Sequence, residues 1–415
     1  MHAAAVDLEL RDITDDEFVA FSRVTEGAFG HQPSDEEVGD WAMLTEGEHK
    51  WGVFDDGEIV ATGGAFAFQL TLPGGATVPA GGLTAIGVRT THRRRGILTA
   101  MMDLHLDEVA RRGQPLSILT ASESVIYGRF GYGSAADLTT WKLPTHGTTL
   151  AFPPRVGGRF RQIDEAQAAA VLPEVYEAHR AVTPGALSRK PGYWDVWLRD
   201  RDRWRDGASA RFYVQHETDV GRPDGYAAYR IKSSWGDHGI PDGILVASEV
   251  VGADPEVEAA LWEHLLSVDL VATIEASGRP VEDPIRWRLT DPRRLQTGHV
   301  GDHLWVRLLD IGTAMAARSY LVDDALVLEV ADPFRPVNSG RWRLDAGPGG
   351  AACSRTEDAA DIALGIADLG AASLGGVRST TLARAGRVQE RTPGALARLD
   401  LLLSWSIAPW CATGF

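Results

Sequence analysis

Hydrophobic and polar positions in the first third of the chain predict a strand, a helix and a second strand in succession. Residues 82–88 form an apolar run of strand length. Between residues 96 and 112 apolar side chains recur at helical spacing with charges opposite, and Gly113 followed by Pro115 ends this helix. Residues 116–120 read as the next strand. The pattern indicates a β-α-β unit whose turn leads directly into the helix N-terminus.

The middle of the chain repeats this pattern. Residues 244–251 predict a strand, and Asp254 with Pro255 predicts the cap and first position of a helix that runs to Val268. Residues 270–274 predict the strand that follows it. We therefore expect a second domain built like the first.

The last third of the chain has a different pattern. A helix at residues 311–320, strands at 325–330 and 340–344, and two later helices indicate an α+β arrangement. Glycine- and proline-containing breaks at residues 143–159 and 295–302 divide the chain. We therefore predict three domains, with limits at 1–147, 148–298 and 299–415.

Composition and charge exclude several classes of protein. The 41 Lys and Arg residues stand against 57 Asp and Glu residues, and a net charge of −16 disfavours binding to nucleic acid or to an anionic membrane. The two cysteines, Cys353 and Cys411, cannot form a disulfide framework or a thiolate metal site. The N-terminus does not read as a signal peptide, and no apolar run reaches the length of a membrane span. A soluble, cytoplasmic protein is expected.

The stretch between the first strand and its helix is rich in arginine. Residues 89–98 read Arg-Thr-Thr-His-Arg-Arg-Arg-Gly-Ile-Leu, so basic side chains and a glycine precede a helix N-terminus. Such a terminus carries partial positive charge and binds phosphates, and Gly96 lets a phosphate approach the backbone. A solvated basic turn is the alternative for an isolated Arg-Arg-Arg-Gly. The position of this turn inside a β-α-β unit favours phosphate binding.

Several motifs in and after this turn resemble a known family. Arg93-x-x-Gly96-x-Leu98 resembles the acyl-CoA pyrophosphate loop of the GNAT superfamily of N-acetyltransferases, although Leu98 departs from the usual glycine or alanine. A narrower resemblance, to the enhanced intracellular survival (Eis) family of aminoglycoside acetyltransferases, rests on four segments: Thr91-His-Arg-Arg-Arg-Gly-Ile-Leu98, Ala121-Ser-Glu123, Ile126-Tyr-Gly-Arg-Phe-Gly-Tyr132 and Thr413-Gly-Phe415. The resemblance implies a mixed α+β and α/β chain, with tandem GNAT folds followed by a sterol-carrier-protein-like domain.

The resemblance also implies a site for acetyl-CoA as co-substrate. Its residues fall on the first strand, on the basic turn and beyond the second strand: Ile86, Gly87 and Val88; Arg94, Arg95, Gly96, Ile97, Leu98 and Thr99; Ser122 and Glu123. The first group would contact the acetyl and pantetheine arm, and the second would hold the pyrophosphate. The third group would complete the cleft.

Two further residues match the family's catalytic pair, Tyr127 as general acid and the α-carboxylate of Phe415 as general base. The chemistry fits these roles, because the attacking amine loses a proton and the expelled thiolate gains one. A terminal carboxylate with a pKa near ~3.5 is ionised at neutral pH, and a phenol with a pKa of about 10 protonates a thiolate at a cost of about 2 kcal/mol. The alternatives are Tyr132 as the acid, Tyr127 as an ordinary half-buried aromatic, and Phe415 as a frayed end.

The other two domains carry weaker signals. In the central domain the turn at residues 251–255 lacks arginine, and Asp254 at the helix cap would repel phosphate, so this copy is expected to have no cofactor site. The last domain resembles a sterol carrier protein, and its role would be to deliver Phe415. The resemblance further implies a homohexamer.

The function implied is acetyl-CoA-dependent N-acetylation of amine-rich small molecules, with aminoglycosides first because they are polycations and this chain is acidic. The alternatives are a lysine, peptide or polyamine acceptor, and a ligand-binding protein without activity. His31, Trp41 and Phe66 are weak candidates for the acceptor pocket. His299 and His303 have a ligand-like spacing, but they lack the glutamate of zinc proteases, so no metal is expected.

Overall fold

The structure of the chain is a computed structural model that describes residues 8–415. Residues 1–7, part of the N-terminal stretch considered above as a targeting signal, lie outside the described residues. In residues 8–415 no helix combines the length and the apolar composition that crossing a bilayer requires.

The first two thirds of the chain contain both strands and helices, in two successive sets. The first third contains β1 (Glu9–Asp12), α1 (Phe18–Ala28), α2 (Asp35–Leu44), β2 (His49–Asp55), β3 (Glu58–Thr71), β4 (Thr77–Val88), α3 (Ile97–Arg111), β5 (Leu116–Thr120), α4 (Ser124–Tyr127) and β6 (Gly133–Pro144). The middle third contains β7 (Arg159–Ile163), α5 (Glu165–Arg180), α6 (Pro191–Leu198), β8 (Phe212–Glu217), β9 (Pro223–Lys232), β10 (Gly243–Gly252), α7 (Pro255–Leu266), β11 (Val271–Pro280) and α8 (Ile285–Arg288).

The last third mixes short strands and helices. It contains β12 (Gln296–Leu308), α9 (Ile311–Ala317), β13 (Asp324–Ala331), β14 (Gly340–Gly347), β15 (Gly350–Arg355), β16 (Ile362–Gly365), α10 (Ile366–Ala372), α11 (Ser379–Arg384), β17 (Val388–Glu390) and α12 (Ala395–Leu403). The chain divides into two compact units, of which the first comprises the residues up to Ala136, Asp302–Ser406 and Gly414–Phe415, and the second comprises Asp137–Gly301 and Ile407–Thr413.

The first unit contains a sheet with the strand order β1-β2-β3-β4-β5, and the end of β12 pairs with β5. In this sheet β4 and β5 are the parallel pair, and the crossover helix α3 joins them. The predicted apolar stripe of α3 is confirmed, because Met101, Met102 and Leu106 are fully buried and pack in one core cluster with Leu83 of β4 and Leu119 of β5. This packing fixes the N-terminus of α3 beside the end of β4.

A second sheet of the first unit has the strand order β15-β14-β13-β16-β17. The buried guanidinium of Arg318 donates hydrogen bonds to the carbonyl oxygens of Ser373 (2.6 Å) and Leu403 (2.7 Å), at the ends of α10 and α12. It thereby satisfies carbonyl groups that a helix C-terminus leaves without partners.

The second unit contains strands in the order β6-β11-β10-β9-β8-β7, and β10 and β11 form its parallel pair. The helix between them, α7, begins as predicted: the Asp254 carboxylate accepts hydrogen bonds from the backbone N–H groups of Glu256 (2.8 Å) and Val257 (3.1 Å). Leu261 and Leu265 are fully buried on its inner face. The repeated β-α-β unit is therefore confirmed.

Two sequence-based predictions of local structure are wrong. Residues 295–302 are not a break, because β12 begins at Gln296. Two threonines of β6 bind the backbone of His299: Thr139 Oγ1 donates to its carbonyl oxygen (3.0 Å), and Thr140 Oγ1 accepts from its N–H group (2.9 Å). Partners distant in sequence thus override two local glycines. The last third also has three helices after its first, α10 to α12, where two were predicted.

Candidate active site

The parallel strands β4 and β5 separate toward their C-terminal ends. Residues 80–83 pair with residues 116–119, but β4 continues to Val88 without a partner in β5. A bulge accompanies the separation, since Ala85 has a positive φ of 53° and Ala85 and Ile86 fall outside the regular pairing of β4 with β3. The opened strands leave a cleft in which backbone groups of β4 remain available to a ligand.

The N-terminus of α3 lies at one end of this cleft without a side-chain cap. The N-cap residue is Gly96, with φ 82°, and Arg94, two positions earlier, also has a positive φ of 65°. Helices α2, α5 and α7 begin instead with the capping side chains Ser34, Asp164 and Asp254. Because the first N–H groups of α3 have no such side chain, they suit an anionic ligand such as a pyrophosphate.

The cleft has a volume of about 760 Å³ and collects nearly all of the predicted cofactor residues. Its lining includes Ile86, Gly87, Val88, Arg94, Gly96, Ile97, Leu98, Thr99, Ser122, Glu123 and Tyr127. Arg95 is not part of this lining, and its guanidinium donates to the Thr91 carbonyl oxygen at 3.2 Å. A cleft lined both by the apolar end of β4 and by the basic N-terminus of α3 offers the apolar contacts and the positive charge that acetyl-CoA would need.

Several residues of this lining are not among the predicted cofactor residues. His92, Arg93 and Arg129 also border the cleft, and all three lie inside the motifs quoted above, so the sequence held a signal for them. Phe29 and Phe334 border it too, but they come from α1's end and from the loop after β13. Only tertiary structure brings these two rings to the cleft.

Tyr127 lies at the inner end of the cleft. Its side chain is 6% exposed, and burial together with the nearby Glu123 carboxylate raises the pKa of its phenol. Tyr132, the alternative acid, is fully buried, and its hydroxyl lies 2.7 Å from Ser117 Oγ. Tyr132 lines neither this cleft nor the cavity beside it, so the geometry favours Tyr127 as the residue that meets a substrate.

Phe415 lies beside residues of three neighbouring strands, β3, β4 and β5. Thr120 Oγ1 donates a hydrogen bond to the main-chain oxygen of Phe415 at 3.0 Å. The Phe415 ring packs edge-on against Phe68 (4.9 Å between ring centroids, 62°) and Phe66 (6.4 Å, 85°). A Cβ at Gly82 would lie 3.1 Å from this ring and 2.6 Å from Phe68, so only glycine leaves room for both rings. The end of the chain is therefore packed and not frayed.

A second cavity of about 250 Å³ surrounds Phe415 and adjoins the cleft. Both cavities are lined by Phe29, Ile86, Ser122 and Tyr127, so these four residues mark where they meet. The second cavity is otherwise lined by Leu83, Thr84, Ala85, Thr120, Ala121 and Phe415. An extended ligand in the cleft would thus present its inner end to a molecule in the second cavity, with a phenol on one wall and the end of the chain on the other.

The weaker candidates for an acceptor pocket, His31, Trp41 and Phe66, do not line a common cavity. Phe66 contacts the Phe415 ring, whereas Trp41 donates from Nε1 to Glu26 (2.9 Å) and exposed His31 faces Glu37 (3.3 Å). None of the three lines the second cavity.

The spaced histidines lie on β12, where positions four apart are about 13 Å distant along the strand. His299 and His303 therefore lie too far apart to bind one ion. In the part of the chain that the structure describes, no group of three or more His, Cys, Asp or Glu side chains is arranged to hold a metal.

The two neighbouring arginines differ in a way that can be tested. We expect Arg94→Ala to raise the KM for acetyl-CoA about tenfold, equivalent to ~1.4 kcal/mol for a lost charge-assisted hydrogen bond. Arg95→Ala should have a smaller effect, because Arg95 does not line the cleft. Steady-state kinetics at varied acetyl-CoA concentration measures both. A larger effect at Arg95 than at Arg94 would contradict this assignment.

Comparison with family models of known domains agrees with the fold. A model described as "Acetyltransferase (GNAT) domain" matches residues 9–135, and a second of the same description matches residues 185–308. A "Sterol carrier protein domain" model matches residues 311–412. The predicted fold class, tandem GNAT folds followed by a sterol-carrier-protein-like domain, is confirmed.

Individual relatives agree along almost the whole chain. An N-acetyltransferase of Streptomyces avermitilis is 43% identical, and the match covers 90% of this chain and 91% of that one. N-acetyltransferase Eis of Mycobacterium tuberculosis is 33% identical, with 83% and 82% of the two chains covered. The crystal structure of Eis1 from Mycobacterium abscessus superposes with a TM-score of 0.85 at 33% identity and covers 98% of this chain and 100% of that one.

Proposed function

This chain belongs to the Eis family of GNAT N-acetyltransferases, and on that basis we propose that it acetylates several amines of polycationic small molecules, aminoglycosides first. It is an N-acetyltransferase, and its GNAT fold implies acetyl-CoA as the donor. One observation carries the proposal: the cleft lined by Arg94 and Gly96 and the cavity around Phe415 meet at Tyr127.

Donor binding in this proposal uses both ends of the cleft. Arg94 and the uncapped N-terminus of α3 bind the pyrophosphate, and the outer part of β4 contacts the pantetheine arm. Acetyl-CoA supplies the thioester acetyl group. The backbone of Ile86, released from regular pairing by the bulge, is available to donate a hydrogen bond to the thioester carbonyl oxygen.

Proton transfer in this proposal uses the two groups at the meeting point of the cavities. The Phe415 carboxylate, oriented by Thr120, accepts the proton that the acceptor amine loses on attack. Tyr127 donates its phenolic proton to the departing thiolate of CoA. Burial keeps this phenol in its protonated form, which is the form a general acid requires.

An acidic segment of the sequence, together with the net charge of −16, supports a cationic acceptor. Between residues 24 and 49 the chain carries no Lys or Arg and seven carboxylate side chains, Glu26, Asp35, Glu36, Glu37, Asp40, Glu46 and Glu48. This segment includes Phe29, which lines the second cavity. An acidic chain attracts a polyamine over long range, which speeds association.

The test is a panel of acceptors incubated with acetyl-CoA and followed by mass spectrometry and by CoA thiol release. We expect an aminoglycoside with several primary amines to gain more than one mass increment of an acetyl group. Spermidine and a lysine-containing peptide separate the alternative acceptors. Absence of turnover with every aminoglycoside would refute that substrate class, while acetylation of spermidine or the peptide would retain the chemistry and change the acceptor.

The remaining predictions from the sequence extend this proposal. We assign residues 1–147 to the catalytic domain, 148–298 to an acetyltransferase-like domain without a cofactor site, and 299–415 to the domain that delivers Phe415. Homohexameric assembly and a cytoplasmic location follow from the family resemblance and from the composition.

A further inference from the structure

The second unit contains a strand opening of the same kind as the one between β4 and β5. Residues 243–247 of β10 pair in parallel with residues 271–276 of β11, and a bulge then shifts the pairing of β10 with β9 between Ala247 and Glu249. Both strands continue beyond the last pair, to Gly252 and Pro280. In the first unit the corresponding opening is the acetyl-CoA cleft.

In the second unit the opening is filled by the protein itself. Arg279 of β11 is 2% exposed, and its Nη1 donates to the carbonyl oxygen of Val250 on β10 (2.8 Å) across the opening. The Asp283 carboxylate lies 2.5 Å from this guanidinium, and Glu258 of α7 is a second ion-pair partner. A cationic side chain with its own carboxylates thus occupies the space that an acyl-CoA arm would need.

Trp410, in the C-terminal segment of the chain, also packs at this opening. The Trp410 indole N–H donates to the Gly278 carbonyl oxygen (2.8 Å), and its backbone N–H donates to the Pro184 carbonyl oxygen (2.8 Å). Its ring lies between His179 (5.1 Å between ring centroids) and Arg279 (5.0 Å from ring centroid to Cζ). Burial lowers the pKa of His179 to about 4, so at neutral pH an uncharged imidazole and a guanidinium enclose the indole.

Thr413 lies three residues after Trp410 and accepts a hydrogen bond from a buried arginine. The Arg189 side chain is fully buried; its Nε donates to Thr413 Oγ1 (3.0 Å) and its guanidinium pairs with Glu249 of β10 (2.5 Å). The Tyr176 hydroxyl lies 2.9 Å from the same threonine oxygen. Thr413 itself is 0% exposed. The segment is therefore held by directional polar contacts as well as by apolar packing.

We propose that the opening between β10 and β11, the counterpart of the acetyl-CoA cleft, is a receptor for the chain's own C-terminal segment, residues 410–413. Asp254 caps α7 where a pyrophosphate would bind, and Trp410 and Arg279 fill the position of the acyl arm. The second GNAT fold thus binds a peptide in place of a nucleotide thioester.

The receptor has a consequence for catalysis that rests on the proposed role of the Phe415 carboxylate. Two peptide bonds separate Thr413 from Phe415, so the clamp on Thr413 restricts where the terminal carboxylate can lie. Arg189 is therefore a positioning residue: it touches neither substrate, and it acts through Thr413.

Cys411 reports whether the segment is docked. Its thiol is fully buried, and burial raises its pKa to about 12, so it should react with a thiol reagent only when the segment leaves its receptor. The experiment uses the full chain with Cys353→Ala, which leaves Cys411 as the single thiol. We expect Cys411 to be labelled at least ~100-fold more slowly in the native protein than in denaturant.

Thr413→Val in this background should speed labelling of Cys411 at least about tenfold under native conditions, because it removes two buried hydrogen bonds. It should also lower kcat while the KM for acetyl-CoA stays unchanged. Thr148→Val is the matched control, since Thr148 is nearly buried and also accepts a hydrogen bond from an arginine Nε (Arg294, 2.6 Å) away from the segment. If Thr413→Val unfolds the protein, Trp410→Phe is the second variant. It removes the hydrogen bond to the Gly278 carbonyl oxygen and should likewise speed the labelling of Cys411.

The outcomes separate this inference from the proposed function. Rapid labelling of Cys411 in the native protein, or two molecules of acetyl-CoA bound per chain by calorimetry, would overturn the receptor. Faster labelling of Thr413→Val with an unchanged kcat would remove the positioning role of Arg189. A protected Cys411 in a protein that acetylates no amine would support the receptor and refute the proposed function.

Discussion

Tyr127→Phe is expected to lower kcat by about two to four orders of magnitude, the contribution typical of a positioned general acid. The substitution removes one buried oxygen and keeps the ring that separates the two cavities, so the KM for acetyl-CoA should stay within about twofold. Steady-state assays of CoA thiol release, with acetyl-CoA and acceptor varied in turn, measure both quantities. In the unmodified enzyme the raised pKa of Tyr127 predicts no loss of kcat from its deprotonation below about pH 10.

Tyr132→Phe is the matched control for this prediction. Its ring packs edge-on against Tyr127 at 6.2 Å, and its hydroxyl contacts Ser117 in the core. We expect this variant to lose about 1 kcal/mol of unfolding free energy and to keep its turnover number within about threefold. Near-normal turnover of Tyr127→Phe together with an inactive Tyr132→Phe would transfer the acid role to Tyr132.

Adding one glycine after Phe415 is expected to reduce turnover at least ~100-fold without unfolding the protein. The extension turns the Phe415 carboxylate into an amide and moves the new carboxylate one residue beyond the hydrogen bond from Thr120. An amide in that place cannot accept the proton of the attacking amine. Turnover and the thermal unfolding midpoint of the extended and unextended chains test this directly.

Phe415→Leu distinguishes the carboxylate from the ring. This variant keeps a terminal carboxylate and loses the edge-on contacts with Phe66 and Phe68, so we expect a fall in turnover of less than about tenfold. Full activity of the glycine-extended enzyme would remove the terminal carboxylate from the mechanism. A loss of turnover in Phe415→Leu without any loss in the glycine-extended enzyme would assign the role of Phe415 to packing alone.

Local sequence patterns were sufficient where the structure depends on near neighbours. The apolar stripe of α3, the end of that helix at Gly113 and the cap at Asp254 all follow from residues within one or two helical turns. The same holds for the basic turn before Gly96, whose conformation depends on glycine. These elements carry most of the predicted cofactor residues into one cleft.

The features of the fold and of the site that the sequence did not predict depend on contacts between distant parts of the chain. Residues 295–302 contain glycines typical of a turn, but their hydrogen-bond partners lie about 160 positions earlier, on β6. Phe29 and Phe334 reach the cleft from two segments of the first unit that are far apart in sequence, and no local pattern marks either one. The packing of residues 410–413 into a strand opening of the second unit is equally invisible to periodicity, because a short apolar run does not specify its partner.

The cleft and the second cavity have only four lining residues in common. In the proposed function we expect substitutions at Thr84 to act on the acceptor side and those at Arg94 or Thr99 to act on the donor side, because each lines one cavity and not the other. In this proposal, recognition of the donor and discrimination among acceptors therefore depend largely on different residues. Substitution of a few residues of the second cavity could therefore change the acceptor of such an enzyme while the residues that bind the donor stay the same.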